Sequence, residues 1–208
     1  MSEQNQQFNQ QLKERNPYTV WFVILAFVSP VALAYIMFYF VDVSSFSNHG
    51  EIYSPVVDIT ELKLTDKNGE LIPDNTGQKN PEDTLRYKWR FYSFVDNQCD
   101  VVCKNRLIDT RQLHKAFGKD AHRITRVVVY LDSPDDLIKK FIESELPAAK
   151  VMYANYDVIK KALNITTEKN EVFISDPMGN IMMRFREEQP LKELQSDMKK
   201  LLKASQIG

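Results

Sequence analysis

Apolar residues are spread along this chain in three ways, and each way predicts a different kind of element. From Thr19 to Val41 they are continuous: TVWFVILAFVSPVALAYIMFYFV runs 23 residues without a charge. About 20 apolar residues in a helix cross the hydrocarbon core of a bilayer, where no backbone group can be left unpaired. A buried core helix seldom shows apolar residues on every face for this length. The stretch is therefore predicted as a transmembrane helix over residues 19–41, kinked at Pro30, with Trp21 and Tyr39 placed at the two interfaces.

Elsewhere the pattern alternates or follows helical spacing. VVDITELKLTDKNGELI, residues 56–72, alternates around Lys67-Asn68-Gly69 and predicts a β-hairpin. RYKWRFYSFV (86–95), RITRVVVYLD (123–132), KVMYA (150–154), EVFIS (171–175) and NIMMRF (180–185) read as strands. The last two flank Asp176-Pro177-Met178-Gly179, whose residue choice is that of a type I turn. Helical spacing appears in DVVCKNRLIDTRQLHKAFG (100–118), with Val102, Leu107, Leu113 and Phe117 at near-helical spacing and Gly118 as the stop. It appears again in SPDDLIKKFIESEL (133–146), where Ser133-Pro134 reads as cap and first turn. NYDVIKKAL (155–163) and PLKELQSDMKKLLKAS (190–205) complete the set, the latter with Leu191, Leu194, Met198, Leu201 and Leu202 on one face.

In order this is a hairpin, then β-α-β-α-β-α, a second hairpin and a closing helix. Right-handed crossovers make the first core strands parallel, and the final hairpin adds antiparallel neighbours. The predicted fold class is α/β: a thioredoxin-like domain, a central mixed sheet with flanking helices, behind one N-terminal transmembrane helix. The predicted organisation is a cytoplasmic Gln/Asn-rich tail (1–18), a signal-anchor helix (19–41), a tether, hairpin and polar loop (42–84), and the thioredoxin-like core (85–208).

Charge sets orientation and excludes some functions. Lys13 and Arg15 precede the span, and no Lys or Arg follows it until Lys63, so the tail is expected inside and the domain outside. The apolar run is longer than that of a cleaved signal peptide and lacks a clear small-residue cleavage site. In a bacterial cell this is an inner-membrane protein with its domain in the periplasm. The 27 basic and 28 acidic residues nearly balance, so nothing favours nucleic acid. The six glycines form no phosphate-cradling motif, so no nucleotide is expected. No Ser-His-Asp or paired-carboxylate arrangement can be traced, and Asn164-Ile165-Thr166 is a sequon too short to carry weight.

The remaining chemistry lies in QCDVVCKN, which holds the chain's two cysteines, Cys99 and Cys103, where the first core strand gives way to a helix. A helix N-terminus offers unpaired N–H groups and the positive end of a dipole, which favour a thiolate at Cys99. Cys103 lies one turn on, on the same face. Asp96 and Asp100 oppose a thiolate and Lys104 favours it. Three roles remain open. A structural disulfide closing so small a loop stabilises little. A redox pair is usually Cys-x2-Cys, and the extra residue alters its geometry. A soft metal such as Cu(I) suits two thiolates with a His or Met added, whereas structural zinc wants four ligands.

YSFVDNQCDVVCKN, residues 92–105, resembles the Sco family of copper chaperones for cytochrome c oxidase assembly. ITELKLTDKNGELI, RVVVYLDSPDD and VFISDPMGNIMMRF resemble that family's early hairpin, second core strand with its acidic turn, and late hairpin. Residues 56–204 fit the family plan, although outside Cys-x3-Cys the matches are generic to thioredoxin-like domains. The resemblance implies a membrane-tethered domain that handles copper or thiols. Its implied partner is an oxidase subunit or assembly factor with copper-ligand thiols.

The chain also departs from that family. Asp100 and Lys104 stand where prolines usually follow the cysteines. The family's third ligand is a His before the late hairpin, and here TTEKNEVF (166–173) has none, Glu168 or Lys169 lying nearest. His114, eleven residues after Cys103, is about 16 Å further along the helix by rise alone. His122 lies beyond that helix, and His49 falls in the tether, free to move. Met182 and Met183 offer thioethers, but one of two alternating strand positions is normally core.

Cys99 and Cys103 are thus the expected working groups. Cys99 attacks a partner disulfide or holds Cu(I), with the third ligand unassigned, and Cys103 resolves or completes the pair. The missing His favours thiol–disulfide oxidoreductase chemistry over copper carriage. The alternative of another class is a non-catalytic, membrane-tethered interaction module with a vestigial dithiol.

Overall fold

The computed structural model describes residues 17–40, 48–72, 87–165 and 170–205, in two compact units divided after Ser47. The tail 1–16, the start of the tether (41–47), the whole polar loop 73–84, and residues 166–169, including Glu168 and Lys169, lie outside the described residues.

The first unit holds helix α1, Pro17–Phe40. Pro17 occupies its first position, where a missing N–H costs nothing. Tyr18–Tyr39 is long and apolar enough to cross a membrane, with side chains exposed all round. Pro30 lies inside it.

The second unit is built on one six-stranded sheet, order β1-β6-β5-β2-β3-β4. Its strands are β1 (Glu51–Asp58), β2 (Trp89–Val95), β3 (Ile124–Leu131), β4 (Lys150–Ala154), β5 (Val172–Ser175) and β6 (Asn180–Phe185). Strands β2, β3 and β4 run parallel, and β5, β6 and β1 are added antiparallel. The crossovers are α2 (Val101–Lys115) between β2 and β3, α3 (Asp136–Glu145) between β3 and β4, and α4 (Tyr156–Leu163) after β4. Helix α5 (Leu191–Ala204) closes the chain. This is the expected thioredoxin-like mixed sheet.

The period-2 pattern of the strands sorts the core into two faces. Tyr92, Val127, Val129 and Phe173 pack with Ile159 and Leu163 of α4. On the other face Phe91, Ile124, Ile174, Met183 and Phe185 pack with Leu113 and Phe117 and with Leu194, Met198 and Leu202 of α5. A third cluster joins Val95, Val128 and Tyr130 to Leu107 of α2 and Ile138 and Ile142 of α3. Met183 is buried and Met182 is packed against the same cluster, so both methionines serve the core.

The structure departs from the sequence expectations in four places. The hairpin over 56–72 is not a ladder: its first arm ends as a short 3-10 helix, Ile59–Leu62, and only Thr65 and Leu71 bridge. The turn at Lys67-Asn68-Gly69 does form, because Asp66 Oδ1 accepts from the N–H groups of Asn68 and Glu70, at 2.8 and 2.9 Å. Thr65 also exchanges two backbone hydrogen bonds with Tyr153 of β4, so this loop covers the outer sheet edge.

The second departure is that residues 51–55 belong to strand β1, not to a tether. As an edge strand β1 is mostly exposed and tolerates Pro55, so it lacks the alternation that marks a strand. Third, α3 is capped by Asp135, whose carboxylate accepts the Ile138 N–H at 2.8 Å, in place of Ser133. Fourth, His49 is fixed. Its N–H donates to Asp197 Oδ2 at 2.6 Å and its Nδ1 lies 3.0 Å from Oδ1.

Candidate redox site at the end of strand β2

Strand β2 delivers the chain into a tight turn before α2, and hydrogen bonds fix that turn. Asp96 Oδ1 accepts from the Gln98 N–H at 2.8 Å, and the Asp96 carbonyl accepts from the Cys99 N–H at 3.4 Å. Asn97 joins the turn to the loop before α3: its Nδ2 donates to the Ser133 carbonyl at 3.0 Å, and its Oδ1 accepts from the Asp135 N–H at 2.8 Å. Asp100 caps α2 by accepting the Cys103 N–H at 2.9 Å.

Cys99 and Cys103, the predicted site residues, are brought together as a disulfide, with Cα atoms 5.2 Å apart. Cys99 sits just before the cap and Cys103 at the third helical position, on the side of α2 that faces the core. Both are nearly buried, 9 % and 6 % exposed, against Val95, Leu107, Val128 and Tyr130. The two sulfurs therefore differ little in access. Capping by Asp100 has a chemical consequence, because the Cys103 N–H is already taken by a carboxylate and is not left for a thiolate.

A pocket of about 270 Å³ opens beside the disulfide. Its floor is apolar, with Phe94, Leu131, Ile165 and Phe173, and its rim carries Asp96, Asp100, Glu171 and Glu187. Among the described residues no Lys, Arg or His lines it, though Arg184 Nη1 lies 3.7 Å from Oε2 of Glu171. Lys104, which the sequence offered as a cation for the thiolate, instead places its Nζ 5.6 Å from the centre of the Phe141 ring. The carboxylates that line the site oppose a further negative charge there, Glu171 the least because Arg184 is paired with it.

The donor set here does not make a three-ligand copper site. Cu(I) prefers thiolate, thioether or imidazole, and among the described lining residues the pocket offers only carboxylates and amides beyond the two cysteines. Among the described residues no group of three His, Cys, Asp or Glu could hold a metal ion. His114 Nε2 donates to the carbonyls of Ala121 and Ile124, each at 3.0 Å, and His122 Nδ1 donates to the Lys119 carbonyl at 2.6 Å. His49 is held by Asp197 as described above.

Asp197 is a residue the sequence reading did not single out. Its side chain is fully buried on α5 and accepts from the N–H groups of His49 and Gly50, from the His49 ring and from Lys200 Nζ at 3.1 Å. Burial pushes its carboxyl up, but the hydrogen bonds of His49, Gly50 and Lys200 together hold it below the ordinary carboxylate range. A signal was present: Asp197 interrupts an apolar face, lying three residues after Leu194 and four before Leu201.

A disulfide where the first parallel strand of such a sheet meets its helix places this molecule among the thioredoxin-like proteins. More narrowly, the chain belongs to the family described as transmembrane-like, thioredoxin-like, C-terminal domain, whose model matches residues 89–205. Among solved structures, apo Sco1 from Thermus thermophilus is similar at a TM-score of 0.52 and 10 % identity, covering 74 % of this chain and 97 % of that one. Copper-bound ScoI from Bradyrhizobium japonicum aligns at 0.45 and 19 % identity, over 70 % and 96 % of the two chains. The thioredoxin domain of a thiol-disulfide oxidoreductase from Bacteroides vulgatus aligns at 0.47 and 17 %, over 70 % and 97 %. The first of these supports the fold. No curated protein matches the chain in sequence.

Proposed function

We propose that this protein is a membrane-anchored, Sco-like dithiol protein, held by α1 with its domain on the periplasmic side of a bacterial inner membrane. Its task is thiol–disulfide exchange during cytochrome c oxidase biogenesis. The observation that carries this reading is the Cys99–Cys103 disulfide itself, set at a strand-to-helix turn and opening on a pocket.

In the reducing direction, the Cys99 thiolate attacks one sulfur of a partner disulfide, and the partner's other sulfur leaves as a thiolate that takes up a proton. Cys103 then gives up its proton and attacks Cys99 Sγ, releasing the second partner thiol. Two electrons pass from the Cys99–Cys103 dithiol to the partner, which leaves with two free thiols able to bind copper. A dithiol reductant on the same side of the membrane returns the pair to its reduced form. Copper enters as cargo of the partner. Should Cu(I) be held here, Cys99 and Cys103 supply two thiolates and a partner supplies the third donor.

Oxidase assembly in cells lacking the parent gene tests the reading. Cys99→Ser and Cys103→Ser chains, expressed at parental levels, are expected to leave oxidase activity near that of the deletion. Full activity with either variant would instead indicate a tethered docking module whose dithiol has no role.

A further inference from the structure

At the opposite end of the parallel strands from the disulfide lies a second pocket, of about 300 Å³, small for a ligand site. It collects residues from where those strands begin: Lys88 just before β2, Arg126 early in β3, and Lys150 opening β4. Among the described residues no Asp or Glu borders it.

Arg126 is the informative member. It is 7 % exposed, yet its Nη1 finds no hydrogen-bond partner among the described residues. A buried cation without a partner is costly, and such groups are normally paired with an acid. Arg111, whose charge bears on Arg126, is itself paired, its Nη1 donating to Glu145 Oε2 at 3.1 Å. Burial, and after it the charge of Arg111, hold the Arg126 guanidinium below its ordinary value, as expected of a cation that nothing neutralises. The two histidines at the pocket, His114 and His122, already donate to backbone carbonyls and add no free acceptor of the opposite charge.

We infer that Lys88, Arg126 and Lys150 form a binding site for a phosphate group, separate from the disulfide. Among the described residues no carboxylate faces these three cations, and such a set matches a group carrying more than one negative charge better than it matches a single carboxylate. A guanidinium also presents paired N–H donors to phosphate oxygens. Two sources share this chemistry, a free phosphate compound and the phosphomonoester headgroup of an anionic lipid.

The test titrates inorganic phosphate into the full-length protein in phosphatidylcholine nanodiscs, followed by calorimetry. The parent should bind saturably. Arg126→Gln, and the pair Lys88→Gln with Lys150→Gln, should each weaken binding about tenfold or more, since a charge-assisted hydrogen bond contributes ~1.5–3 kcal/mol. Lys150 is exposed and Lys88 half-buried, so the lysine pair decides the matter if Arg126→Gln does not fold. Reduction of the disulfide by dithiothreitol should be unchanged in the lysine pair. Nanodiscs containing phosphatidic acid then separate the sources: a lower phosphate affinity there assigns the site to a lipid headgroup, and an unchanged one to a soluble phosphate. Absence of saturable binding by the parent, or equal binding by parent and variants, overturns the site.

Discussion

Asp100 does two opposing things at the candidate site. As the cap of α2 its carboxylate accepts the Cys103 N–H and helps fix the turn; as a charge it disfavours the thiolate that exchange requires. Asp100→Asn separates these roles, because asparagine caps as well as aspartate but is neutral. The reduced protein carrying this change should be alkylated by iodoacetamide about two- to fivefold faster at neutral pH, the scale of a ~1 kcal/mol Coulomb interaction in water-like surroundings. A rate equal to the parent's would mean the acidic rim does not govern the dithiol. The cysteines themselves were legible in the sequence, since two thiols at a strand-to-helix junction have few uses. The rest of the rim was not: Glu171 and Glu187 flank the late hairpin, more than sixty residues from Cys103, and only the sheet order brings them near.

At the scale of elements, the alternation of strands and helices was readable because β2 to β6 carry dense β-branched and aromatic residues and both long helices carry an apolar face. Strand β1 was not readable. It is an exposed edge with no alternation, and its place is set by contacts to residues far along the chain. Gly50, at its entry, shows why. A Cβ there would sit 2.6 Å from Met183 Sδ and 2.6 Å from Phe185 Cε2, both confined in the core. Gly50→Ala should therefore destabilise the protein by about 1–3 kcal/mol in chemical denaturation.

Beside it, Asp197 anchors His49 and Gly50 to α5, and Asp197→Ala should cost about 1–3 kcal/mol, chiefly by leaving the buried Gly50 N–H unsatisfied. The sign with pH follows from its lowered carboxyl. The stability it contributes is complete above the ordinary carboxylate range, near pH 4, and is lost as pH falls through the folded-state value below it. Denaturation midpoints of parent and Asp197→Asn should therefore converge under acid.

For the whole molecule, the topology puts two unlike sites at the two ends of the parallel strands. The C-terminal end of β2 leads into a disulfide lined by carboxylates, and the starts of β2, β3 and β4 gather three cations that no carboxylate faces among the described residues. The first follows from one contiguous motif and was visible in sequence. The second draws single residues from separate elements, and no local pattern could reveal it. The copper expectation divides in the same way: the two cysteines are in place, but the described histidines are bound elsewhere, so no third donor for Cu(I) stands beside them among the described residues.

That central claim is tested most directly by trapping. Reduced full-length Cys103→Ser protein, mixed with a peptide carrying one intramolecular disulfide, should accumulate a one-to-one mixed disulfide through Cys99, seen as a mass shift that dithiothreitol reverses. The parent under the same conditions should release the reduced peptide and return to the Cys99–Cys103 disulfide. If the variant forms no adduct while the parent leaves the peptide oxidised, the dithiol does not exchange, and the account given for this site is wrong.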